Sequence, residues 1–251
     1  MRLDEEYCLS EYVDLGRLGD NEKVHIVRNQ VNGVIGVRKY VALDLEEIYL
    51  FLKENPNVYI PKIYECIQTD TNLIVIEEYL SGKNLEEMLK EKYFSEKDAA
   101  DIIICLCDAL YPLHHAKMPV ICRDLKAENV ILTNEGEVKL VDFDIARIYQ
   151  PGKSKDTVMM GTQGYAAPEQ FGFGQTDART DIYAMGVLLN YMLVREFPME
   201  KLTEGKFRTI VLKCIKINPE DRYQNVDELK ADICNAAEIP CSSMDSDKNK
   251  F

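Results

Sequence analysis

Four polar residues stand close enough together to do chemistry: Asp124, Lys126, Asn129 and Asp142. They lie in Cys122-Arg123-Asp124-Leu125-Lys126-Ala127-Glu128-Asn129 and, after a short gap, Asp142-Phe143-Asp144. A carboxylate can orient a hydroxyl and take its proton. Carboxylate and carboxamide oxygens are the hard ligands that a small divalent cation prefers. An ammonium group can neutralise charge that develops on an anion. Any one triplet of this kind arises often by chance, whereas the octapeptide followed by D-F-D is specific.

Residues 12–43 are expected to be strand-rich, with β-branched runs separated by Gly, Asn and Asp turns. A helix is expected over Leu45–Glu54, where Leu45, Ile48, Tyr49 and Leu52 form one stripe. Two strands, Lys62–Gln68 and Asn72–Glu78, follow. Beyond Gly82 the pattern turns helical: a short helix at 85–91, then a long one with Ser95 as N-cap and Asp98 three positions on. Short strands at 130–132 and 138–140 flank the turn N-E-G-E. Further helices are expected at Asp181–Val194, Phe207–Lys216 and Val226–Ala237. The polar tail, 241–251, is expected to fray. The order implies an α+β protein, a small β-rich half joined near Tyr79–Lys83 to a larger helical half.

Composition narrows the function classes. The 251-residue chain carries a net charge of −13 and a pI near 4.8, which argues against a basic face reading nucleic-acid phosphates. Eight cysteines form no C-x-x-C pair. They are expected to be reduced, small core residues in a cytoplasmic protein. The first residues contain no apolar signal region, and the apolar run Ala184–Val194 is too short to span a bilayer. His114 and His115 are expected to pack or cap the end of the long helix.

The octapeptide and D-F-D resemble the catalytic loop and metal-binding loop of protein kinases, serine/threonine type, including the bacterial type. That resemblance implies a two-lobed fold over residues 1–240, with a small lobe over 1–78, a hinge at 78–82, a large lobe over 83–240 and ATP in the cleft. It implies roles for the four residues. Asp124 would be the base that accepts the hydroxyl proton, Lys126 the neutraliser of the transferred phosphoryl group, and Asn129 and Asp142 the ligands of Mg²⁺ (or Mn²⁺). Val37-Arg38-Lys39 stands at the place of V-A-I-K, so Lys39 would hold the α/β-phosphates and pair with a helix glutamate, Glu47 by preference, Glu46 as competitor. Gly19 and Val24 would belong to the phosphate loop, and the backbones of Glu78 and Leu80 would meet adenine. Ala167-Pro168-Glu169, Asp181 and Arg222 match structural positions, the last pairing with Glu169. Lys126 and Thr162 stand where serine/threonine kinases flank the acceptor hydroxyl, implying a protein substrate with a Ser/Thr acceptor.

The pattern is also broken in places. Aligned on Val24, the three loop glycines fall on Arg17, Gly19 and Glu22, so one survives, which leaves a degenerate but working loop as the preferred reading and weakened ATP binding as its competitor. Asp144 replaces the D-F-G glycine and Cys122 the histidine before Arg-Asp. Glu77 falls at the gatekeeper position, facing the adenine pocket or pointing away if the strand register slips. Arg123 is expected to clamp a phosphate on Thr157 or Ser154. Two rival readings follow from the breaks and from the shared fold: a nucleotide-binding regulatory module without turnover, and a small-molecule phosphotransferase. The complete segment ending Ala167-Pro168-Glu169 opposes the second.

Overall fold

The computed structural model describes residues 3–19, 22–150, 160–172 and 174–241, in two compact units, one ending at Gly82 and the other beginning at Lys83. The first holds α1 (Leu3–Ser10), β1 (Tyr12–Arg17), β2 (Val24–Asn29), β3 (Ile35–Val41), α2 (Glu46–Glu54), β4 (Ile63–Gln68) and β5 (Leu73–Glu78). Its strands form one antiparallel sheet in the order β1-β2-β3-β5-β4. The helix α1 has no apolar stripe in its sequence, LDEEYCLS, and was not expected.

Register in this sheet decides which side chains meet. Lys39 lies opposite Val75 and Val37 opposite Glu77. Alternate residues of a strand share a face, so Val37, Lys39, Val75 and Glu77 share one, with Lys39 and Glu77 as diagonal neighbours. Val24, on β2, is paired with Lys39 on β3. A bulge between Asp14 and Gly16 bends β1, and Gly16 takes φ 133° there, a value that side chains resist.

The stripe expected on α2 is the one that is buried: Ile48, Tyr49 and Leu52, with Leu45 in the short 3₁₀ turn that leads in. Glu46 and Glu47 occupy the first helical turn, where the helix dipole favours acidic groups. They fall off the buried stripe.

The second unit contains α3 (Leu85–Glu91), α4 (Glu96–His114), β7 (Val120–Ile121), β8 (Val130–Thr133), β9 (Val138–Leu140), β10 (Arg147–Ile148), α5 (Ala178–Val194), α6 (Arg208–Cys214) and α7 (Val226–Ala237). The strand β6 (Gly82–Asn84), which opens at the boundary, pairs beside β8 and β9. Ser95 and Asp98 close a reciprocal capping box on α4, as their spacing implied. The helix α5 starts three residues earlier than expected because Asp177 accepts from the Arg179 N–H and Thr180 reaches back to the Asp177 N–H.

The core of this unit is built on α5, whose Ile182, Met185, Leu188, Leu189 and Met192 are all sealed from solvent. Its contact with α6 is so close that a Cβ added at Gly186 would stand 2.2 Å from the Cβ of Cys214. Only glycine fits. Among the described residues no helix is long and apolar enough to cross a membrane. All eight cysteines are free, four of them buried.

Candidate active site

The loop that carries Asp124 is held by α5. Asp181, on its first turn, is fully buried and accepts hydrogen bonds from the backbone N–H groups of Cys122 (3.0 Å) and Arg123 (2.8 Å). His114, at the end of α4, completes this buried group with Nε2 2.8 Å from the Asp181 carboxylate. The sequence marked His114 as a packing or capping group; the structure uses it as a polar brace. These bonds hold Arg123 at φ 66°, a left-handed conformation that costs a non-glycine residue energy unless its surroundings impose it.

Asp124 emerges from that braced turn into a dense network. Its Oδ1 accepts from the Thr162 hydroxyl at 2.6 Å, and its Oδ2 lies 2.7 Å from Lys126 Nζ. Lys126 also donates to the Thr162 hydroxyl, at 3.0 Å. Asn129 donates through Nδ2 to both the Asp124 carbonyl (2.9 Å) and Oδ2 (3.0 Å). With its nitrogen so used, the amide keeps its oxygen for a cation.

Asp142 follows the end of β9, fixed by the Val141 N–H donating to the Asn129 carbonyl at 2.9 Å. Its own φ is 69°, and its Oδ1 accepts from the Asp144 N–H at 3.1 Å. Phe143 beside it is buried, as is Cys122, whose thiol burial pushes far above its usual range. Cysteine therefore packs here and does not react. Asp144 is exposed.

The segment before Glu169 is tied to the loop by a residue that sequence reasoning passed over. Gln170, buried, donates through Nε2 to the carbonyls of both Arg123 and Met160, each at 2.8 Å. Nothing in its spacing announces that role. Glu169 and Arg222 are buried and joined, as the resemblance implied, with Thr180 donating to the same carboxylate. Arg123 sends Nε to the Ile145 carbonyl at 2.8 Å, and burial lowers the pKa of its guanidinium. Ser154 and Thr157 lie outside the described residues.

In the first unit the sequence expectation needs correction. Lys39 is bonded to Glu77, Nζ to Oε1 at 2.6 Å, with the two side chains only 13% and 8% exposed. Glu47, the expected partner, is exposed on α2. Its position off the buried stripe is the physical reason. Glu77 thus faces the lysine on their shared face of the sheet.

The residues replacing the two missing loop glycines, Arg17 and Glu22, approach each other at 3.3 Å and are largely exposed, so the acidic charge of Glu22 is partly offset by its neighbour. Gly19, between them in sequence, takes φ 69°. Val24 is half-buried. The Glu78 N–H donates to the Lys62 carbonyl at 2.8 Å. Leu80 makes no backbone hydrogen bond among the described residues.

The donor set fits Mg²⁺: one carboxylate and one amide oxygen suit a cation that takes its other ligands from phosphates and water. No group of three or more His, Cys, Asp or Glu side chains among the described residues could hold a metal by itself.

Comparison with known proteins gives the family. The protein kinase domain family model matches residues 31–246. A probable serine/threonine-protein kinase PknB of Corynebacterium glutamicum is 32% identical over 192 residues, covering 63% of this chain and 29% of its own length. The serine/threonine-protein kinase PknB of Mycobacterium tuberculosis is 28% identical over 272 aligned positions, covering 92% of this chain and 43% of its own. Protein kinase C zeta type of Oryctolagus cuniculus is 29% identical over 224 residues, 81% of this chain and 37% of its own length. The chain thus spans less than half the length of these curated relatives.

Proposed function

Because this chain belongs to the protein kinase family, which it matches over residues 31–246, we propose that it transfers the γ-phosphoryl group of ATP to serine or threonine hydroxyls of proteins. One observation carries the reading: the Thr162 hydroxyl sits 2.6 Å from Asp124 and 3.0 Å from Lys126. An aliphatic hydroxyl is thereby already presented to the carboxylate that would take its proton. The base-to-hydroxyl distance is within hydrogen-bond reach, which general-base catalysis requires.

Each side chain then has a task. Asp124 orients the acceptor hydroxyl and receives its proton as the new O–P bond forms and the bond from the γ-phosphorus to the bridging oxygen breaks, releasing ADP. Lys126 offsets negative charge on the phosphoryl oxygens during transfer. Asn129 Oδ1 and the Asp142 carboxylate would hold Mg²⁺, which when bound neutralises phosphate charge. Lys39 would hold the α/β-phosphates, and Gly19, Val24 and the backbones of Glu78 and Leu80 would contact the nucleotide. Arg123, with Ser154 or Thr157 as modified partner, would supply regulation. The relatives' names, serine/threonine-protein kinases, support the acceptor class.

The test is transfer of γ-labelled phosphate from Mg·ATP to the protein itself and to a generic basic protein, beside an Asp124→Asn control. Labelling on serine or threonine that the control lacks supports the proposal. Equal labelling in both, or none with either acceptor, overturns it.

A further inference from the structure

The lysine that would hold the phosphates has to be held itself, and the carboxylate bonded to it stands on a strand. The face that α2 buries is Leu45, Ile48, Tyr49 and Leu52, apolar apart from one phenol. Its two acidic residues, Glu46 and Glu47, lie off that stripe, Glu46 half-buried and Glu47 exposed. A carboxylate reaches Lys39 from the sheet instead. Glu77 lies two residues along β5 from Val75, the partner of Lys39, and so on the same face. Its Oε1 is 2.6 Å from Nζ, with both side chains largely out of solvent. A charge buried at this depth persists only when paired, and a short charge-assisted bond fixes the direction of a long, flexible amine.

We propose that Glu77 is the positioning residue for Lys39, doing from strand β5 what the family resemblance assigned to a helix glutamate, so that the lysine is oriented independently of the acidic residues of α2. The inference rests on the nucleotide-binding reading of Lys39 given above. Two consequences follow from the geometry. Register between β3 and β5, fixed by backbone hydrogen bonds, sets the lysine's direction, so displacement of α2 leaves the pair intact. Removing the charge at position 77 also frees an amine that must approach phosphate, and this weakens binding of ATP more than binding of adenosine.

The experiment compares Glu77→Asp, Glu77→Gln, Glu77→Leu and the double variant Glu46→Gln/Glu47→Gln with the wild type. It reads ATP and adenosine affinity by calorimetric titration, steady-state kcat and KM for ATP, and thermal melting. We expect ATP affinity to fall in the order wild type, Asp, Gln, Leu, with the Leu variant down at least tenfold and adenosine affinity within twofold throughout. The helix double variant should stay within twofold of the wild type in both affinity and kcat/KM. A purely structural role for Glu77 would lower the melting temperature without separating ATP from adenosine, and would overturn the proposal. So would a loss of ATP affinity in the helix double variant while Glu77→Gln and Glu77→Leu bind normally. A wild type that binds ATP but transfers no phosphate would refute the kinase reading while leaving the affinity order to judge Glu77. A wild type that binds no ATP would overturn both.

Discussion

Glu169 and Arg222 meet through two parallel hydrogen bonds, 2.7 and 2.9 Å, in a place where the guanidinium is fully sealed from solvent. Arg222 spends its remaining donors on the carbonyls of Lys216, Ile217 and Arg179. This bidentate pair joins the end of the activation segment to the loop after α6. Removing either partner leaves the other charged and buried. Arg222→Ala and Glu169→Ala should each cost about 3–5 kcal/mol of stability, read as the shift in a urea unfolding curve. An effect under about 1 kcal/mol in both would mean that water reaches the pair.

Asp124→Asn removes the proton acceptor but keeps the shape of the side chain. Turnover should fall about a hundred- to ten-thousandfold, the usual contribution of a positioned base, with ATP affinity and circular dichroism unchanged. A change confined to KM would reassign Asp124 to binding.

The capping box on α4 has a pH signature. Bonds from the Ser95 hydroxyl and N–H hold the Asp98 carboxyl below its ordinary pKa. Its folded pKa is depressed, so the stabilisation is complete above the unfolded value and is lost as pH falls through the folded one. At neutral pH Ser95→Ala should cost about 1 kcal/mol. The gap between wild type and Asp98→Ala, followed by thermal melting from pH 7 down to pH 2, should close at the acid end. A gap constant across that range would show that the carboxylate charge contributes nothing.

Arg17 and Glu22 form an exposed pair, a kind worth about 0–1 kcal/mol. Replacing both with glycine should therefore change stability little while letting the loop backbone approach phosphate. The measured outcome is a lower KM for ATP at unchanged melting temperature. No gain in KM would place the phosphate contacts elsewhere.

Gly186→Ala drives a methyl into Cys214 across the α5–α6 contact. Overpacking of this kind costs about 1–3 kcal/mol, and Gly186→Ala combined with Cys214→Ala should not recover it, because the Cβ of position 214 remains. Recovery in the double variant, measured by chemical denaturation, would mean that the helices shift apart cheaply.

The reach of the sequence differs between these sites for a physical reason. Asp124, Lys126 and Asn129 lie on one tight turn, so linear spacing nearly equals spatial arrangement; their closeness was legible from order, while their roles came from the resemblance. The buried stripe of α2 was equally legible from its 3.6-residue period. It already implied that Glu47 points away from the interior, yet the family pattern suggested a helix partner for Lys39. The true partner depended on the register between β3 and β5, two strands far apart in the chain, and register is not written in either strand by itself. Gln170 and His114 escaped for the same reason, since each is given meaning by a backbone or carboxylate brought from another segment. The helix α1 has no stripe to betray it.

The thiols offer a practical handle. Burial lifts those of Cys66, Cys105 and Cys234 to about 11, and raises those of Cys8, Cys107, Cys122 and Cys214 as well. Thiolates are what alkylating reagents attack, and burial, which hides four of the eight thiols outright, slows reaction at these positions. Cys241 is the exposed one. A maleimide dye added briefly at pH 7 should attach there first, labelling the wild-type sequence at a single position well away in the chain from Asp124 and Asp142.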